Sequence, residues 1–248
     1  MSSSSTGTPN IEMSRYIDLD IYHAVERSHP YYVEMIAEMV KEIGDAIKCK
    51  ETARLLEIGA GTGLATEDFI VFENLEITAI DMDENCSNIL KNRKLQRVQA
   101  HCTDAVTYCE PDEFDLVASV FAHDHINHDS APKFVSNIRK NLKTGGLYLM
   151  GGELLPYYET MEERSEALYA YHTFIVNKAL REENFELAQI EINALKSGLH
   201  MIGDFKRHEA MFEEEMISGN FEMIHKVKLG PNNLDDVGGV FVYVFRAV

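Results

Sequence analysis

The chain has 248 residues, and 41 acidic against 23 basic residues give it a net charge of −18. A chain of this length predicts one domain that can bury a full hydrophobic core. Because such a negative charge repels phosphate backbones and anionic lipids, we expect neither a nucleic-acid partner nor a membrane partner. The compact basic runs, Lys91–Lys94 and Lys206-Arg207, are candidates for local exceptions.

The cysteine pattern and the start of the chain bear on location. Cys49, Cys86, Cys102 and Cys109 show neither a C-x-x-C pair nor the spacing of a disulfide framework, which predicts reduced thiols in the cytosol. No apolar run approaches the length of a transmembrane helix, and no apolar segment of a signal peptide follows the Ser-rich start. We therefore predict a cytoplasmic protein with a disordered tail at residues 1–15.

Short apolar runs alternate with helical patterns after a mostly helical segment at residues 18–47, whose longer half we expect to start at Pro30. Alternation of this kind predicts an α/β fold with a parallel sheet and right-handed crossovers. The predicted strands are residues 55–58, 77–80, 98–101, 116–121, 147–150, 221–229 and 239–245, and the helices between them are 66–72, 85–91 and 131–142.

The most informative stretch is the loop after the first strand. Glu57, Gly59, Gly61 and Gly63 form the pattern E-x-G-x-G-x-G directly before a helical pattern. A strand that turns through glycines into a helix brings backbone N–H groups and a helix N-terminus close to a ligand. The dinucleotide motif G-x-G-x-x-G would need its third glycine where Leu64 stands. A purely structural turn remains the alternative for the glycines alone.

An acidic residue closes the second strand. Asp81 follows the alternating apolar run at residues 75–80 and lies about 20 residues beyond the glycines. A carboxylate in this place can accept hydrogen bonds from both ribose hydroxyls of a nucleoside. The two features on consecutive strands therefore predict a nucleoside-binding site.

The glycine motif resembles the first motif of the class I S-adenosylmethionine (SAM)-dependent methyltransferases, and the order of elements is similar to theirs from residue 55 onward. The resemblance implies a Rossmann-like sheet of seven strands, mostly parallel with one antiparallel C-terminal strand. It also implies SAM as the cofactor, and it places the sequence with the small-molecule enzymes that carry a helical cap insertion.

By this resemblance, the glycine loop passes under the methionine part of SAM, and Glu57 helps to hold its ammonium group. Asp104 contacts the adenine amino group, the N–H of Ala105 meets the ring, and the main chain after Ser119 closes the pocket. A surface N-cap is the alternative role for Asp104. The predicted cofactor-binding residues are Glu57, Gly59, Ala60, Gly61, Gly63, Asp81, Met82, Asp104, Ala105 and Ser119.

Two segments are expected to cover the site. The resemblance implies that the segment before the first strand folds over the SAM pocket, although packing against the sheet is an alternative for each of its aromatic and histidine residues. These candidates are Tyr16, Tyr22, His23, Tyr31 and Tyr32. Residues 154–218 are largely helical in composition, whereas the fold needs a single crossover helix there. We predict a helical cap insertion at 154–218 within a methyltransferase domain at 16–248.

The candidate catalytic residues follow the fourth and fifth strands. Methyl transfer is an in-line displacement that depends on alignment, and a base with a pKa near 7 helps an O–H or N–H nucleophile. We predict His123 as base or substrate anchor, with Asp124 and His125 orienting it or touching the substrate. Glu153 would hold a substrate ammonium or act as a base. The alternatives are that His125 caps a turn and that Glu153 starts the cap helix.

The segment from His123 to Asp129 also invites a metal interpretation, since three histidines and two aspartates lie within seven residues. No single local geometry collects all of these side chains, because an extended strand and a helix place different pairs on one face. We therefore predict no metal ligand.

These features predict an enzyme that transfers the methyl group of SAM to an O or N atom of a small-molecule acceptor. Two alternatives stay open: another SAM-dependent reaction (carbon methylation, carboxy-SAM formation or metal-assisted chemistry at His123–His128), and a SAM-binding protein without catalysis. Methylation of a protein also stays open, and the acidity makes RNA a poorer acceptor. The sequence does not choose between a monomer and a homodimer.

Overall fold

The computed structural model describes residues 12–15, 17–234 and 237–248. Tyr16, one of the candidate lid residues, and most of the predicted tail lie outside the described residues. Met13–Arg15 form a short 3-10 helix, and the backbone N–H of Ser14 donates to the Asp83 carboxylate at 2.7 Å. This contact places the described start of the chain beside the second strand of the sheet.

The described residues form a seven-stranded sheet with the strand order β3-β2-β1-β4-β5-β7-β6. Its strands are Ala53–Ile58 (β1), Leu75–Asp81 (β2), Val98–Cys102 (β3), Phe114–Val120 (β4), Leu142–Leu154 (β5), Phe221–Gly230 (β6) and Gly239–Ala247 (β7). Strands β1 to β5 pair in parallel, whereas β7 is antiparallel to both β5 and β6. The predicted fold class, with one antiparallel C-terminal strand, is confirmed.

Burial explains which strands occupy the centre. The segments Leu55–Ile58 and Phe114–Ser119 are buried on both faces of the sheet, as expected for parallel strands covered by helices on both sides. Strand β6, at one edge, instead exposes several side chains, such as Met223 and Ile224. The central position of β1 and β4 brings the ends of these two strands together at one rim.

The helices lie on both faces of the sheet and above its rim. They are Leu19–Val25 (α1), Tyr32–Ile47 (α2), Leu64–Phe69 (α3), Glu84–Arg93 (α4), Ala131–Asn141 (α5), Met161–Arg181 (α6), Phe185–His200 (α7) and Glu209–Ser218 (α8). Between α1 and α2 the chain forms a 3-10 turn at Glu26–Ser28, and Tyr31 adopts a left-handed φ of 67° before α2 begins. Pro30 lacks the N–H that a continuous helix would need there.

Residues 154–218 contain three helices, and two of them pack against each other. Helices α6 and α7 are joined by residues 182–184 and pack together around buried side chains such as Leu168 and Ile175. Helix α8 packs against α5 and β6, which is the place of an ordinary crossover helix. Helices α6 and α7 thus form a hairpin, the α6–α7 hairpin, and α7 contacts α1. In the described part of the chain, every helix is too short or too polar to cross a membrane.

Helix α2 provides a direct test of the core. Ile43 is fully buried in the cluster between α2 and the sheet, whereas Val33 on the same helix is 58% exposed. We expect Ile43→Ala to lower the free energy of unfolding by about 2–5 kcal/mol, because it removes buried methyl groups and leaves a cavity. Val33→Ala should change it by less than about 0.5 kcal/mol. Urea unfolding of both variants checks this, and equal effects would contradict the described packing.

Candidate functional site

A cleft, which we call the main cleft, opens at the carboxyl ends of β1, β2 and β4. Its empty volume, including the part open to solvent, is about 980 Å³. The lining residues come from the glycine loop, the ends of these strands and the N-terminal helices: Tyr22, Tyr32, Glu57, Ile58, Gly59, Ala60, Gly61, Thr62, Leu64, Ala65, Ile80, Asp81, Met82, Thr103, Asp104, Ala105, Val120, Phe121, Ala122, His125 and Ile126. Ligands of open α/β sheets bind at this kind of crevice.

The glycines of the loop have different roles. Gly59 has a φ of +66°, and a Cβ atom on it would lie 2.4 Å from the Cβ of Ala122, so the loop depends on glycine to pass the end of β4. Gly63 has a φ of +87° and precedes α3, and a Cβ atom there would collide with Leu90 of α4. Gly63 is not among the residues that line the main cleft, since its contact is with α4.

Glu57 is a buried carboxyl that faces the main cleft. Glu57 is 1% exposed, and one of its carboxyl oxygens accepts a hydrogen bond from the Thr66 hydroxyl at 2.7 Å. The other oxygen accepts no hydrogen bond from the described residues. Burial raises the pKa of Glu57 to about 8, the Thr66 hydrogen bond opposes this, and the nearby charges of Asp81 and Asp68 add to it. The site therefore favours a cationic partner for this carboxyl.

Asp81 supports the loop as well as the cleft. One carboxylate oxygen accepts from the N–H of Gly61 at 2.7 Å, and the other accepts from the N–H of Asp83 at 2.8 Å. Burial raises the pKa of Asp81, and the two backbone hydrogen bonds oppose this shift. Each oxygen keeps a further lone pair, so the carboxylate can still accept hydrogen bonds from a ligand.

A second pocket lies beside the main cleft and shares Tyr22, Phe121 and His125 with it. We call it the acidic pocket. Its empty volume, again including open solvent, is about 530 Å³. It is lined by residues of the N-terminal segment, the ends of β4 and β5, helix α7 and the segment before α8: Ile17, Tyr22, Glu26, His29, Phe121, Asp124, His125, Glu153, Ile190, Glu191, Ala194, Ser197, Asp204 and Lys206.

Phe121 forms the corner between the main cleft and the acidic pocket. Its φ of +46° lies in the left-handed region that bulky residues seldom adopt. The rings of His29 and Tyr32 pack against it, with ring centroids at 5.1 Å and 5.9 Å. These contacts from the N-terminal segment hold Phe121 in place, and the segment thereby forms a wall of both pockets.

Lys206 is the centre of the charged groups in the acidic pocket. It is 3% exposed, and its ammonium lies 2.8 Å from Asp204, 3.0 Å from Glu153 and 3.1 Å from Asp124. Burial opposes the charge of Lys206, but the three carboxylates raise its pKa well above the ordinary value. The same ion pairs lower the pKa of Asp124 and of Glu153 against the effect of burial. All three N–H donors of the ammonium are thus engaged.

His29 adds a second cation. Its Nε2 lies 2.9 Å from a Glu153 oxygen and 3.6 Å from a Glu191 oxygen, and its Nδ1 lies 3.0 Å from the carbonyl oxygen of Pro30. Burial alone would lower the pKa of His29, but Glu153, Glu191 and Glu26 raise it to about 9. His29 is therefore an imidazolium at neutral pH, and both of its nitrogens have partners.

His123, the predicted base or anchor, lines neither of these two pockets. It is 3% exposed, its Nδ1 lies 2.9 Å from the Tyr148 hydroxyl, and its Nε2 lies 3.3 Å from Glu215. The rings of Phe134 and Phe212 pack edge-on against it at 5.1 Å and 4.9 Å. Burial lowers the pKa of His123, and Glu215 opposes this shift. The side chain is thus enclosed behind the rim.

The other predicted catalytic residues are divided between the pockets. His125 lines both, whereas Asp124 and Glu153 line the acidic pocket, where each is paired with Lys206. The Nδ1 of His125 is hydrogen-bonded to the carbonyl oxygen of Gly203. Because a carbonyl only accepts, Nδ1 carries a proton, and in the neutral ring Nε2 then keeps a lone pair. Within the described residues, Nε2 has no partner.

The histidines of this segment do not converge on a metal site. His128 lies 2.9 Å from the carbonyl oxygen of Phe205, and the nitrogens of His123 are bound to other side chains. In the described ranges, the group of side chains whose ligand atoms come close enough to hold an ion is Glu38, Glu42 and His225. That group lies away from both pockets and is paired with a lysine, since Lys41 lies 2.7 Å from Glu38.

The remaining predicted cofactor residues can now be placed. Ser119 does not line the main cleft, because it is fully buried and its hydroxyl pairs with that of Tyr148 at 2.8 Å. The main chain after it, at 120–122, does line the cleft. Apart from Ser119 and Gly63, the structure brings all of the predicted cofactor residues together at the cleft: Glu57, Gly59, Ala60, Gly61, Asp81, Met82, Asp104 and Ala105.

Sequence reasoning missed part of the acidic pocket. Glu26, His29 and Glu191 were not singled out, and Lys206 appeared only as half of a basic pair. In the structure Lys206 and Arg207 are both buried, so this pair is no surface patch. A weak signal existed, because Glu26 and His29 lie between aromatic residues of the predicted lid. Nothing in the local pattern linked them to the distant Glu153.

Comparisons with known proteins identify the domain. Residues 55–146 match the family model described as "Methyltransferase domain". A search of curated proteins gave no match. A structure provisionally assigned to a sarcosine dimethylglycine methyltransferase from Galdieria sulphuraria superposes with a TM-score of 0.63 and 9% identity, over 87% of this chain and 86% of that one. Residues 55–146 thus match a methyltransferase domain, and the chain has the fold of this solved structure.

Two other solved structures have the same fold. Phosphoethanolamine N-methyltransferase 2 of Haemonchus contortus, in complex with SAM, gives a TM-score of 0.62 at 16% identity, over 94% of this chain and 58% of that one. A cyclopropane synthase from Mycobacterium tuberculosis gives a TM-score of 0.59 at 12% identity, over 84% of this chain and 83% of that one. At these identities the methyltransferase domain shares a fold with them, and its acceptor is a separate question.

The main cleft of the methyltransferase domain fits SAM. The acceptor groups match the ligand, since Glu57 offers an unpartnered oxygen to an ammonium and Asp81 keeps lone pairs for ribose hydroxyls. A Cβ atom on Gly61 would meet no atom within 4 Å, so the open cleft lies directly beside this part of the loop.

Removal of His123 tests its role in the methyltransferase. We expect His123→Ala to lower the free energy of unfolding by about 3 kcal/mol, because it leaves a cavity between two rings and unpairs Glu215 from the ring. SAM affinity at native conditions should change less than twofold. His101→Ala, at an exposed position of β3, is the control. Unchanged stability with lost methyl transfer would instead restore His123 as the base.

The pKa of Glu57 predicts a pH effect on stability. Between its ordinary value of 4.5 and about 8, the folded chain keeps a proton that the unfolded chain has released, so rising pH favours unfolding. Glu57→Gln lacks this loss. At pH 8 we expect the free energy of unfolding of the variant to exceed that of the wild type by a few kcal/mol, since one pKa unit corresponds to about 1.4 kcal/mol. Urea unfolding measures this difference, which should fade toward pH 5.

Parallel pH profiles for the wild type and Glu57→Gln would contradict this assignment. Glu34→Gln, at an exposed position of α2, is the matched control and should follow the wild type at every pH.

Proposed function

We propose that the protein transfers the methyl group of SAM to an O or N atom of a small molecule that binds in the acidic pocket. The observation that carries this proposal is the junction of the two pockets at Tyr22, Phe121 and His125. A molecule in the acidic pocket would meet a ligand of the main cleft at this junction. Alignment of two reactants in this way is the main requirement of an in-line displacement.

The residues of the main cleft divide among the parts of SAM. Glu57 would hold the ammonium group, Asp81 the ribose hydroxyls, and Asp104 with Ala105 the adenine ring. When bound, SAM supplies an electrophilic methyl group on a sulfonium. The chain supplies the position of this group relative to the acceptor.

The acidic pocket would provide alignment and proton transfer. Helix α7 and the N-terminal segment line it, which supports the role of the predicted cap in covering the acceptor. His125 stands at the junction with its Nε2 lone pair available, which favours it over His123 as a base or substrate anchor. Asp124 and Glu153 would act through Lys206, whose position they determine.

The structural neighbours are consistent with both acceptor atoms. One is named an N-methyltransferase, and another, with a TM-score of 0.57 and 15% identity, is mitomycin 7-O-methyltransferase. Their low identity transfers no acceptor to this chain. The four cysteines, all unpaired, support our inference of a reducing, cytoplasmic location.

Asp81→Ala tests the cofactor half of the proposal. We expect SAM affinity to fall at least tenfold in titration calorimetry, about 1.4 kcal/mol, because the variant loses a hydrogen-bond acceptor for the ribose and a support of the glycine loop. Asp45→Ala, at an exposed position of α2, should bind SAM as the wild type does. Native mass spectrometry of the purified wild type should show a bound mass of SAM or its demethylated product. A wild-type chain that binds neither compound would overturn the proposed function.

A further inference from the structure

Every cation that lines the acidic pocket already has carboxylate partners. The ammonium of Lys206 contacts Asp124, Glu153 and Asp204, and the imidazolium of His29 lies between Glu153 and Glu191. An anionic acceptor would therefore have to displace one of these ion pairs. The pocket thus offers an anion no available cation among the described residues.

One carboxyl of the pocket has no such partner. Glu26 is 5% exposed and lines the acidic pocket, and its carboxyl makes no hydrogen bond or ion pair with the described residues. By contrast, one oxygen of Glu191 pairs with Nδ1 of His172 at 2.9 Å. An unpaired buried carboxylate is costly, and a ligand that carries a positive charge would remove this cost.

The groups around Glu26 make it a proton acceptor for such a ligand. Burial raises the pKa of Glu26 to about 8, His29 and Lys206 oppose this shift, and the negative charges of Glu191 and Glu153 add to it. Tyr22, on the preceding helix, is a neutral neighbour, since burial raises the pKa of its hydroxyl well above the ordinary value. A carboxyl with a pKa in this range exchanges protons readily at neutral pH.

We propose that the methyl acceptor is a small primary or secondary amine, bound as an ammonium by Glu26, which then takes up the proton that frees the nitrogen lone pair. This inference rests on the proposed function and narrows its acceptor to nitrogen. The apolar side chains of the pocket, Ile17, Phe121 and Ile190, suit a hydrocarbon body behind the amine.

The proton and electrons balance in this reaction. The ammonium gives one proton to the Glu26 carboxylate, and the freed lone pair forms the new N–CH₃ bond. The C–S bond of SAM breaks with its electron pair passing to sulfur, which becomes a neutral thioether. The methylated product leaves as an ammonium, and Glu26 returns its proton to water.

Calorimetry on the whole chain tests the proposal without turnover. With saturating S-adenosylhomocysteine at pH 7.5, phenethylamine and propylamine are compared with 2-phenylethanol and 1-propanol, which have nearly the same shape without the charge, and with phenylacetate as an anion. We expect each amine to bind at least tenfold more tightly than its alcohol, and the anion not to bind. Amine binding should release protons, as measured in buffers of different ionisation enthalpy.

Variants show whether Glu26 causes the preference for amines. Glu26→Gln should lose at least tenfold in amine affinity while the binding of alcohols and of S-adenosylhomocysteine stays unchanged, and Glu34→Gln should match the wild type. Alcohols that bind as tightly as amines, or a Glu26→Gln variant that keeps its amine affinity, would overturn the proposal. A wild-type chain that binds S-adenosylhomocysteine and no amine overturns the amine assignment alone, whereas failure to bind SAM or S-adenosylhomocysteine overturns the proposed function itself.

Discussion

The arrangement of the site depends on the buried ammonium of Lys206. Its three carboxylates come from the end of β4, the end of β5 and the segment before α8, so a single charge joins two strands of the sheet to the part of the chain that follows the α6–α7 hairpin. Burying such charges is costly, and the cost is met only when every group is paired. Asp124 and Glu153 form ion pairs with Lys206, so their carboxylates stabilise this cluster, which is a role other than contact with a substrate.

Two buried carboxyls are not paired with a cation in this way. Glu57 faces the main cleft and Glu26 faces the acidic pocket, each has a pKa raised to about 8 mainly by burial, and neither has a cationic partner among the described residues. Each pocket therefore contains an unfavourable burial that a positively charged group would relieve. An ammonium on the cofactor and an ammonium on the acceptor would fill these two places. The same electrostatic device thus accounts for both halves of the proposed ligand pair.

The secondary structure followed from local patterns. All seven strands lie where alternation and apolar runs predicted them, and the interruption near Pro30 follows from the missing N–H of proline. The glycine motif located the main cleft, since Gly59 has a left-handed φ that glycine adopts readily. Gly63 and the main chain after Ser119 were expected at the cleft from the resemblance to the methyltransferases. The neighbours of Gly63 and of the Ser119 side chain, Leu90 and Tyr148, come from elsewhere in the chain and place these two residues outside it.

The sequence by itself determined the α/β class, the order of the strands along the chain and the carboxyl-end residues Glu57, Asp81 and Asp104, because these depend on neighbours within one strand–loop–helix unit. Only the tertiary structure decided which polar groups share a pocket. Glu26 and Glu191 are far apart in the chain but line the same pocket. His123 and Glu215 are likewise distant in the chain and come into contact only in the folded structure. Charge pairing in a buried site depends on distances of a few ångströms between distant segments, and no spacing within a segment encodes them.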